Sequence, residues 1–206
     1  WLETVTANAH EKSNHSTHFV YMGRLVDWKA VDLLLEAFAK AAKTCAMSLE
    51  IIGDGVDRGA LEKMARDLEI LGGQQEAGKA HFTGWLSQAE CATHIQNADA
   101  LVLPSLMECG GAVVLEAMAM SLPVIAVRWG GPVDYLDESC GILLEPTSRD
   151  ALVEGLAGAM QALSSDPAKR LSMGVAARQK VVRYFDWEVK VDQMMDIYRS
   201  VSTSAS

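Results

Sequence analysis

Two acids and two glycines crowd one short segment of this chain. Glu108 is followed by Cys109-Gly110-Gly111, and the apolar run Ala112-Val113-Val114-Leu115 leads into Glu116 and Ala117-Met118-Ala119. Glycines let a backbone approach a ligand closely, and the first amides of a helix that begins there lack intrahelical acceptors. A carboxylate at Glu116, inside an apolar helical stretch, is costly to bury without partners. Two vicinal hydroxyls of a ribose would satisfy it. A plain turn and a solvated acid would also fit the same residues. A second segment, Gly23-Arg24-Leu25-Val26-Asp27-Trp28-Lys29, places two cations five positions apart, Arg24 at a strand end and Lys29 at the start of a helix. A helix N-terminus favours anions and repels a cation. Lys29 there is a local conflict of the kind that marks function, relieved if an anion sits between the two cations. Taken alone, the pair also reads as two solvated surface cations.

The elements that must position these loops follow from hydrophobic periodicity. His18–Met22, Met47–Ile52, 81–83, 100–103, 123–127 and 141–144 read as strands, several of them apolar throughout. Helices are expected from Lys29 to Lys43, from Arg58 to Leu68, from Ser87 to about Asn97, from Gly110-Gly111 to Met120, after Ser148 or Asp150, from Asp166-Pro167, and from Trp187 to Val201. Ser87 and Glu90 form a capping box, and Pro167 occupies a tolerated first helical position. Strands that alternate with helices and are apolar on both faces predict an α/β fold: a doubly wound, Rossmann-like parallel sheet with helices on both faces. Ligands of such sheets bind at the carboxyl ends of the strands. That directs attention to loops 23–29, 53–57, 84–87, 104–111 and 128–132.

Composition narrows the partners. The chain has 206 residues, half of them hydrophobic and 22% charged, with a net charge of −9. That is enough for one domain with an apolar core, and no run is long enough to span a bilayer. The negative balance argues against nucleic acid, which demands a broad basic surface, and against tight docking on anionic lipid. Cys45, Cys91, Cys109 and Cys140 have no C-x-x-C spacing and read as reduced thiols, which places the expected location in the cytoplasm. His10, His15 and His18 lie in a polar opening stretch without Asp or Cys partners, and His81 and His94 lie apart, so no metal site is expected. The chain opens on Trp1, so a fragment or trimmed product is expected. Residues 1–17 read as a linker or the end of a preceding domain, 18–185 as the main domain and 186–206 as a C-terminal helix.

The order of the motifs adds what no single one supplies. Gly-Arg-x4-Lys, Gly-Asp-Gly, Phe-x-Gly, Ala-Asp-x4-Pro-Ser, Glu-x7-Glu-Ala-Met-Ala, Leu-Pro-Val-Ile and Gly-Gly-Pro succeed one another from residue 19 to about 201, including the Phe185-Asp186-Trp187-Glu188 turn. This succession resembles the retaining glycosyltransferases of family 4, whose fold is the two-domain GT-B type. The resemblance covers the second, donor-binding half of such an enzyme; the first, acceptor-binding domain is missing. It implies that Arg24 and Lys29, next to Gly23, bind the diphosphate of a nucleotide-sugar donor. It implies that Glu108 contacts hydroxyls of the transferred sugar and Glu116 the ribose. Gly110 and the backbone of Gly111, Ala112 and Val113 would cradle the phosphates, and Leu86 would pack on the base. Arg24, Lys29 and Glu108 are the expected catalytic residues.

Three positions depart from the family pattern. Cys109-Gly110-Gly111 stands where Gly-Phe-Gly is usual, Ser121 where Gly is usual, and Asp134 where Glu is usual. The implied chemistry is transfer of a hexose to an acceptor hydroxyl with retention. Arg24, Lys29 and helix amides stabilise the leaving diphosphate without a metal or other cofactor, since no Asp-x-Asp is present. Two rivals remain open: a non-catalytic nucleotide-sugar-binding module, and a nucleotide-sugar epimerase of the same fold. A glycoside hydrolase would need two carboxyls flanking one bond, and Glu108 and Glu116 are better placed to grip two parts of one ligand. The partners expected are the donor and the missing N-terminal domain, toward which helix 186–206 would pack and through which membrane-peripheral placement would arise.

Overall fold

The computed structural model describes residues 16–204; His10, His15 and all but the end of the expected linker lie outside them. Strand β1 (Thr17–Met22) is followed by a 3-10 turn (Asp27–Lys29) and α1 (Val31–Ala41). Then come β2 (Met47–Ile52), α2 (Arg58–Asp67), β3 (Ala80–Gly84), α3 (Gln88–Asn97), β4 (Ala100–Leu103) and α4 (Ala112–Ala119). The chain continues with β5 (Val124–Val127), α5 (Gly131–Tyr135), β6 (Gly141–Leu144), α6 (Arg149–Ser165), α7 (Pro167–Tyr184) and α8 (Trp187–Ser204). Thr17 already belongs to β1, so the domain begins inside the expected linker. Helix α5 was not anticipated: five residues opened by Gly-Pro are too few for a helical period to show.

The strands form one sheet in the order β3-β2-β1-β4-β5-β6, every pair parallel. Right-handed crossovers put α1 and α2 on one face and α3 and α4 on the other, because the chain moves outward first one way from β1 and then the other from β4. Helix α6 packs on α1, and α7 on α4. Both faces of β1, β2, β4 and β5 are therefore covered, which is why nearly every residue of these strands is buried without alternation, the polar Thr17, His18, Ser48 and Glu50 included. The core runs unbroken from Phe19, Phe38 and Ile51 to Val124, Leu156 and Met160. Among the described residues no helix is long and apolar enough to cross a membrane.

Local signals account for the helix ends. The capping box forms, with the Ser87 amide donating to Glu90 Oε2 at 2.8 Å. Ser148, rather than Asp150, caps α6 by accepting from the Ala151 amide at 3.1 Å, and Asp166 caps α7 by accepting from that of Lys169 at 2.9 Å. Two motif acids prove to be structural. Asp99 ties the entrance of β4 to β1 by accepting from the His18 amide at 2.8 Å. Asp54 accepts from the Gly55 amide at 2.7 Å and pairs with Arg58 at 3.2 Å, fixing the turn after β2.

One acid penetrates the core. Glu50, on β2, is 1% exposed and meets His94 Nδ1 at 2.9 Å and His18 Nε2 at 3.6 Å. Burial pushes its carboxyl up, but the hydrogen bonds to His18 and His94 outweigh that and hold it below the usual carboxylate value.

Ser121, where the resemblance has Gly, lies in the left-handed region at φ 62. Its carbonyl is pressed against Gly174 of α7, where an added Cβ would come within 2.0 Å, so the turn cannot relax. A left-handed non-Gly residue costs roughly 1–2 kcal/mol, partly offset by the unfolded-chain entropy that Gly regains. Ser121→Gly should therefore stabilise the fold by up to about 1 kcal/mol, or about 2–4 °C in thermal unfolding for a domain of this size. Thermal denaturation of the two proteins checks it; an unchanged or lower midpoint would show that the turn is not strained.

Candidate functional site

At the carboxyl end of β1 the chain turns under tight control. Tyr21 is fully buried, and its hydroxyl donates to the Arg24 carbonyl at 2.9 Å. Burial, and then the charge of Glu108, pushes the Tyr21 phenol well above its usual value, so it remains a hydroxyl donor. Leu25 and Val26 are buried as anchors, which leaves Arg24 exposed between two fixed points. Its guanidinium has no partner among the described residues.

Lys29 does not start a helix. It ends the 3-10 turn, Ala30 follows in the left-handed region at φ 50, and α1 begins at Val31. The expected repulsion by the helix dipole is absent for that reason. The Lys29 ammonium instead pairs with the Glu108 carboxylate, and both side chains are largely buried, at 16% and 12% exposure. Sequence alone concealed this pair, because the partners are 79 residues apart.

The loop that carries Glu108 is wedged between its neighbours. On one side the Leu106 amide donates to the Trp28 carbonyl at 2.9 Å. On the other, the Gly131 amide donates to the Cys109 carbonyl at 3.0 Å. Gly130, at φ 61, backs onto Glu108 so closely that a Cβ would lie 1.7 Å from its carbonyl oxygen, so no other residue fits there. Gly111 is the N-cap of α4, at φ 64, with no side-chain cap. The amides of Gly110, Gly111, Ala112 and Val113 have no acceptor among the described residues, and an N-terminal helix end with open amides is an anion site.

Glu116, one turn further into α4, is half-buried and without a side-chain partner among the described residues. Burial alone raises its carboxyl above the ordinary value. Leu86 packs half-buried against the core. Cys91 links these two positions: its thiol faces the Leu86 carbonyl at 3.8 Å and is raised by burial first and then by the charge of Glu116. The structure thus brings Gly23, Arg24, Lys29, Glu108 and Gly110–Val113 to one rim of the sheet and joins Leu86 to Glu116 beside it. Tyr21 and Cys91 were missed from sequence, since a buried phenol and a lone thiol carry no motif. No group of three His, Cys, Asp or Glu that could hold a metal ion occurs among the described residues.

The sequence model of one family, glycosyl transferases group 1, matches residues 4–180. The chain belongs to that family. Among curated relatives it is similar to a glycogen synthase of Mycobacterium tuberculosis, 32% identical over 181 residues that cover 87% of this chain and 41% of the relative. It is also similar to a sucrose synthase of Acidithiobacillus caldus, 29% identical over 86% of this chain and 24% of the relative. The group 1 chain thus spans less than half the length of these relatives. Among solved structures, sucrose-phosphate synthase from Thermosynechococcus elongatus superposes with a TM-score of 0.75 at 29% identity, over 93% of this chain and 46% of that one. The C-terminal domain of a group 1 glycosyl transferase from Francisella tularensis shares the fold, with a TM-score of 0.71 at 22% identity, over 84% of this chain and 88% of that one. The expected fold, a Rossmann-like half of a GT-B glycosyltransferase, is the one observed.

The raised Glu116 carboxyl has a consequence for the ligand-free protein. A carboxyl whose folded value lies above its unfolded value binds protons more tightly when folded, so stability falls as pH rises between the two values. Glu116→Gln should remove that loss and raise the thermal midpoint at neutral pH, with the gain shrinking as pH falls below the ordinary carboxylate range. Unfolding scans at pH 4 and pH 7.5 on both proteins check this. A lower midpoint for Glu116→Gln at neutral pH would mean that the carboxylate has a stabilising partner.

Proposed function

We propose that this chain is the donor-binding half of a retaining glycosyltransferase, which moves a hexose from a nucleoside-diphosphate sugar to an acceptor hydroxyl without a metal ion. The observation that carries the reading is that the exposed, unpartnered Arg24, the Lys29–Glu108 pair and the open amides at the start of α4 all lie on the turns that follow β1 and β4, at one end of the sheet. As the glycosidic bond to the diphosphate breaks, negative charge grows on the distal phosphate. Fixed cations and amides aimed at that place stabilise the transition state more than the ground state. Arg24 supplies a charge that no described residue neutralises. Lys29 supplies a second, shared between Glu108 and the anion, while Glu108 accepts hydroxyls of the sugar. Glu116 finds in the ribose hydroxyls the donors that no described residue gives it, with the base lying toward Leu86. Retention rests on the motif resemblance, and independence of metal on the cations and amides.

The acceptor site belongs in this reading to a second domain, and the apolar side chains of α8 support such a docking. Trp187, Val191, Met194, Tyr198 and Val201 recur at helical spacing and are all exposed. The chain alone is then expected to bind donor and transfer nothing.

Arg24→Ala separates the diphosphate from the rest of the ligand. A charge-assisted hydrogen bond is worth about 1.5–3 kcal/mol, so diphosphate affinity should fall roughly tenfold or more while nucleoside affinity and thermal stability stay unchanged. Lys29→Ala is a less clean probe, since it also strands Glu108 without its ion pair. Calorimetric titration of nucleoside, monophosphate and diphosphate into wild type and Arg24→Ala decides the matter, repeated in EDTA. Unchanged diphosphate affinity in the variant would place the anion elsewhere, and a loss in EDTA restored by Mg²⁺ would contradict a metal-free site.

A further inference from the structure

Phe185 stands at the joint where α7 ends and α8 begins. Its ring is held from two sides. The Tyr135 ring, at the end of α5, meets it edge to face, with centroids 5.2 Å apart and planes at 80°. The Lys190 ammonium, on the first turn of α8, lies 5.2 Å from its centroid. An edge-to-face aromatic pair and a cation over a ring each add attraction beyond burial. Asp186 fixes the joint itself: its Oδ1 accepts from the Glu188 amide and its carbonyl from the Lys190 amide, both at 3.0 Å. Tyr135 packs in turn against the hydrophobic core.

The other end of α5 rests on the loop that carries Glu108. The helix has five residues, Gly131–Tyr135, so its two ends lie about one turn apart. The Gly131 amide donates to the Cys109 carbonyl at 3.0 Å. A Cβ on Gly131 would lie 2.1 Å from the Gly110 carbonyl oxygen, and one on Gly130 1.7 Å from that of Glu108. Pro132 flanks Gly111, where a Cβ would stand 3.5 Å from the proline Cδ. Backbone thus lies directly on backbone, with no flexible side chain between to absorb a shift, and close-packed contacts transmit displacement. The α7–α8 joint and the Glu108 loop are the two ends of one continuous chain of contacts.

We propose that Tyr135 and Phe185 are positioning residues: their contact ties the α7–α8 joint, through α5, to the Glu108–Gly111 loop, so that the seating of α8 and the setting of that loop move together. Coupling of this kind is reciprocal. A ligand that fixes the loop restrains α8, and a surface that seats α8 fixes the loop. The proposal rests on the donor-site reading only for the claim that the loop holds a diphosphate. The tie itself is a property of the ligand-free protein and does not depend on what covers α8.

The test uses this chain with Phe185→Leu, Tyr135→Leu and the ring-retaining Tyr135→Phe, and with Val182→Ala, an exposed position one turn earlier on α7, as control. Amide NMR and hydrogen exchange are recorded first without ligand, with the amides of β1 and β4 as the reference for global opening. Phe185→Leu is expected to shift the amides of Cys109–Gly111 and to speed exchange of the Gly131 amide roughly three- to tenfold against that reference. Tyr135→Leu acts in the same sense, the double variant adds little to either single change, and Tyr135→Phe and Val182→Ala behave as wild type. Calorimetry then compares UDP and GDP with uridine and guanosine. Tyr135→Leu should weaken the diphosphates roughly two- to tenfold and leave the nucleosides unchanged, and UDP added to wild type should shift the amides of Phe185–Lys190. Unchanged Cys109–Gly111 shifts and Gly131 exchange in Phe185→Leu overturn the tie. So do changes no larger than those of the reference amides, which report general destabilisation. Should both leucine variants fail to fold, the wild-type response of Phe185–Lys190 to UDP decides. A ligand-free response as expected, with no diphosphate bound by wild type, overturns the donor-site reading and leaves the tie standing.

Discussion

The Lys29–Glu108 ion pair joins the two loops that meet where the strand order reverses, between β1 and β4. Everything that makes the rim a site depends on those loops being held at a fixed separation. The pair is more buried than an ordinary surface bridge, and removing either partner would leave the other charge poorly solvated. It also sorts the cations. Lys29 is committed before any ligand arrives, so an incoming anion must share it with Glu108, whereas Arg24 is held out into solvent by Tyr21 beneath it and is uncommitted. The proposed site would therefore combine one charge that organises the protein with one reserved for the ligand.

Two buried acids show how partners, rather than depth, decide what an acid does here. Glu50 is the more deeply buried, yet its carboxyl is held low, because two imidazoles reach it across the sheet face. Glu116 is only half-buried, yet burial raises its carboxyl, and no side chain among the described residues offsets that. Glu50 is held within the fold through Oε2, which faces both imidazoles, while its Oε1 is buried without a partner among the described residues. Glu116 carries, among the described residues, an unmet demand for hydrogen-bond donors on α4, and such perturbed groups are where function concentrates. The orphaned amides of Gly110–Val113 make the complementary demand for acceptors, a few residues away on the same helix end.

The sheet and most helices were legible in sequence because the strands are short, mostly apolar runs and several helix starts carry local chemistry, as at Ser87 and Glu90, Ser148 or Asp166. The strand-end loops were legible for the same reason: topology alone assigns ligands to them. What sequence concealed is of two kinds. Helix α5 is too short for its period to register. The Lys29–Glu108 pair, the support of Arg24 by Tyr21 and the close approach of Gly130 to Glu108 depend on residues far apart in the chain or buried without a motif. The misplaced start of α1 has a simple cause: Asp27-Trp28-Lys29 forms a 3-10 turn, and Ala30 breaks the helix path with a positive φ that an alanine does not advertise.

In the proposed reading, an anion binds where the turn after β1 meets the start of α4. Backbone-amide NMR of the isotope-labelled chain, recorded while a nucleoside diphosphate is added, tests it residue by residue. The account predicts that the largest shifts fall on Gly23–Leu25 and Gly110–Val113, with Glu116 and Leu86 responding to the nucleoside portion. The amides of Ile142 and Leu143 on the outer strand β6 should stay still. Saturable shifts centred on β6 or on α6, with Arg24 and Gly110–Val113 unmoved, would contradict it.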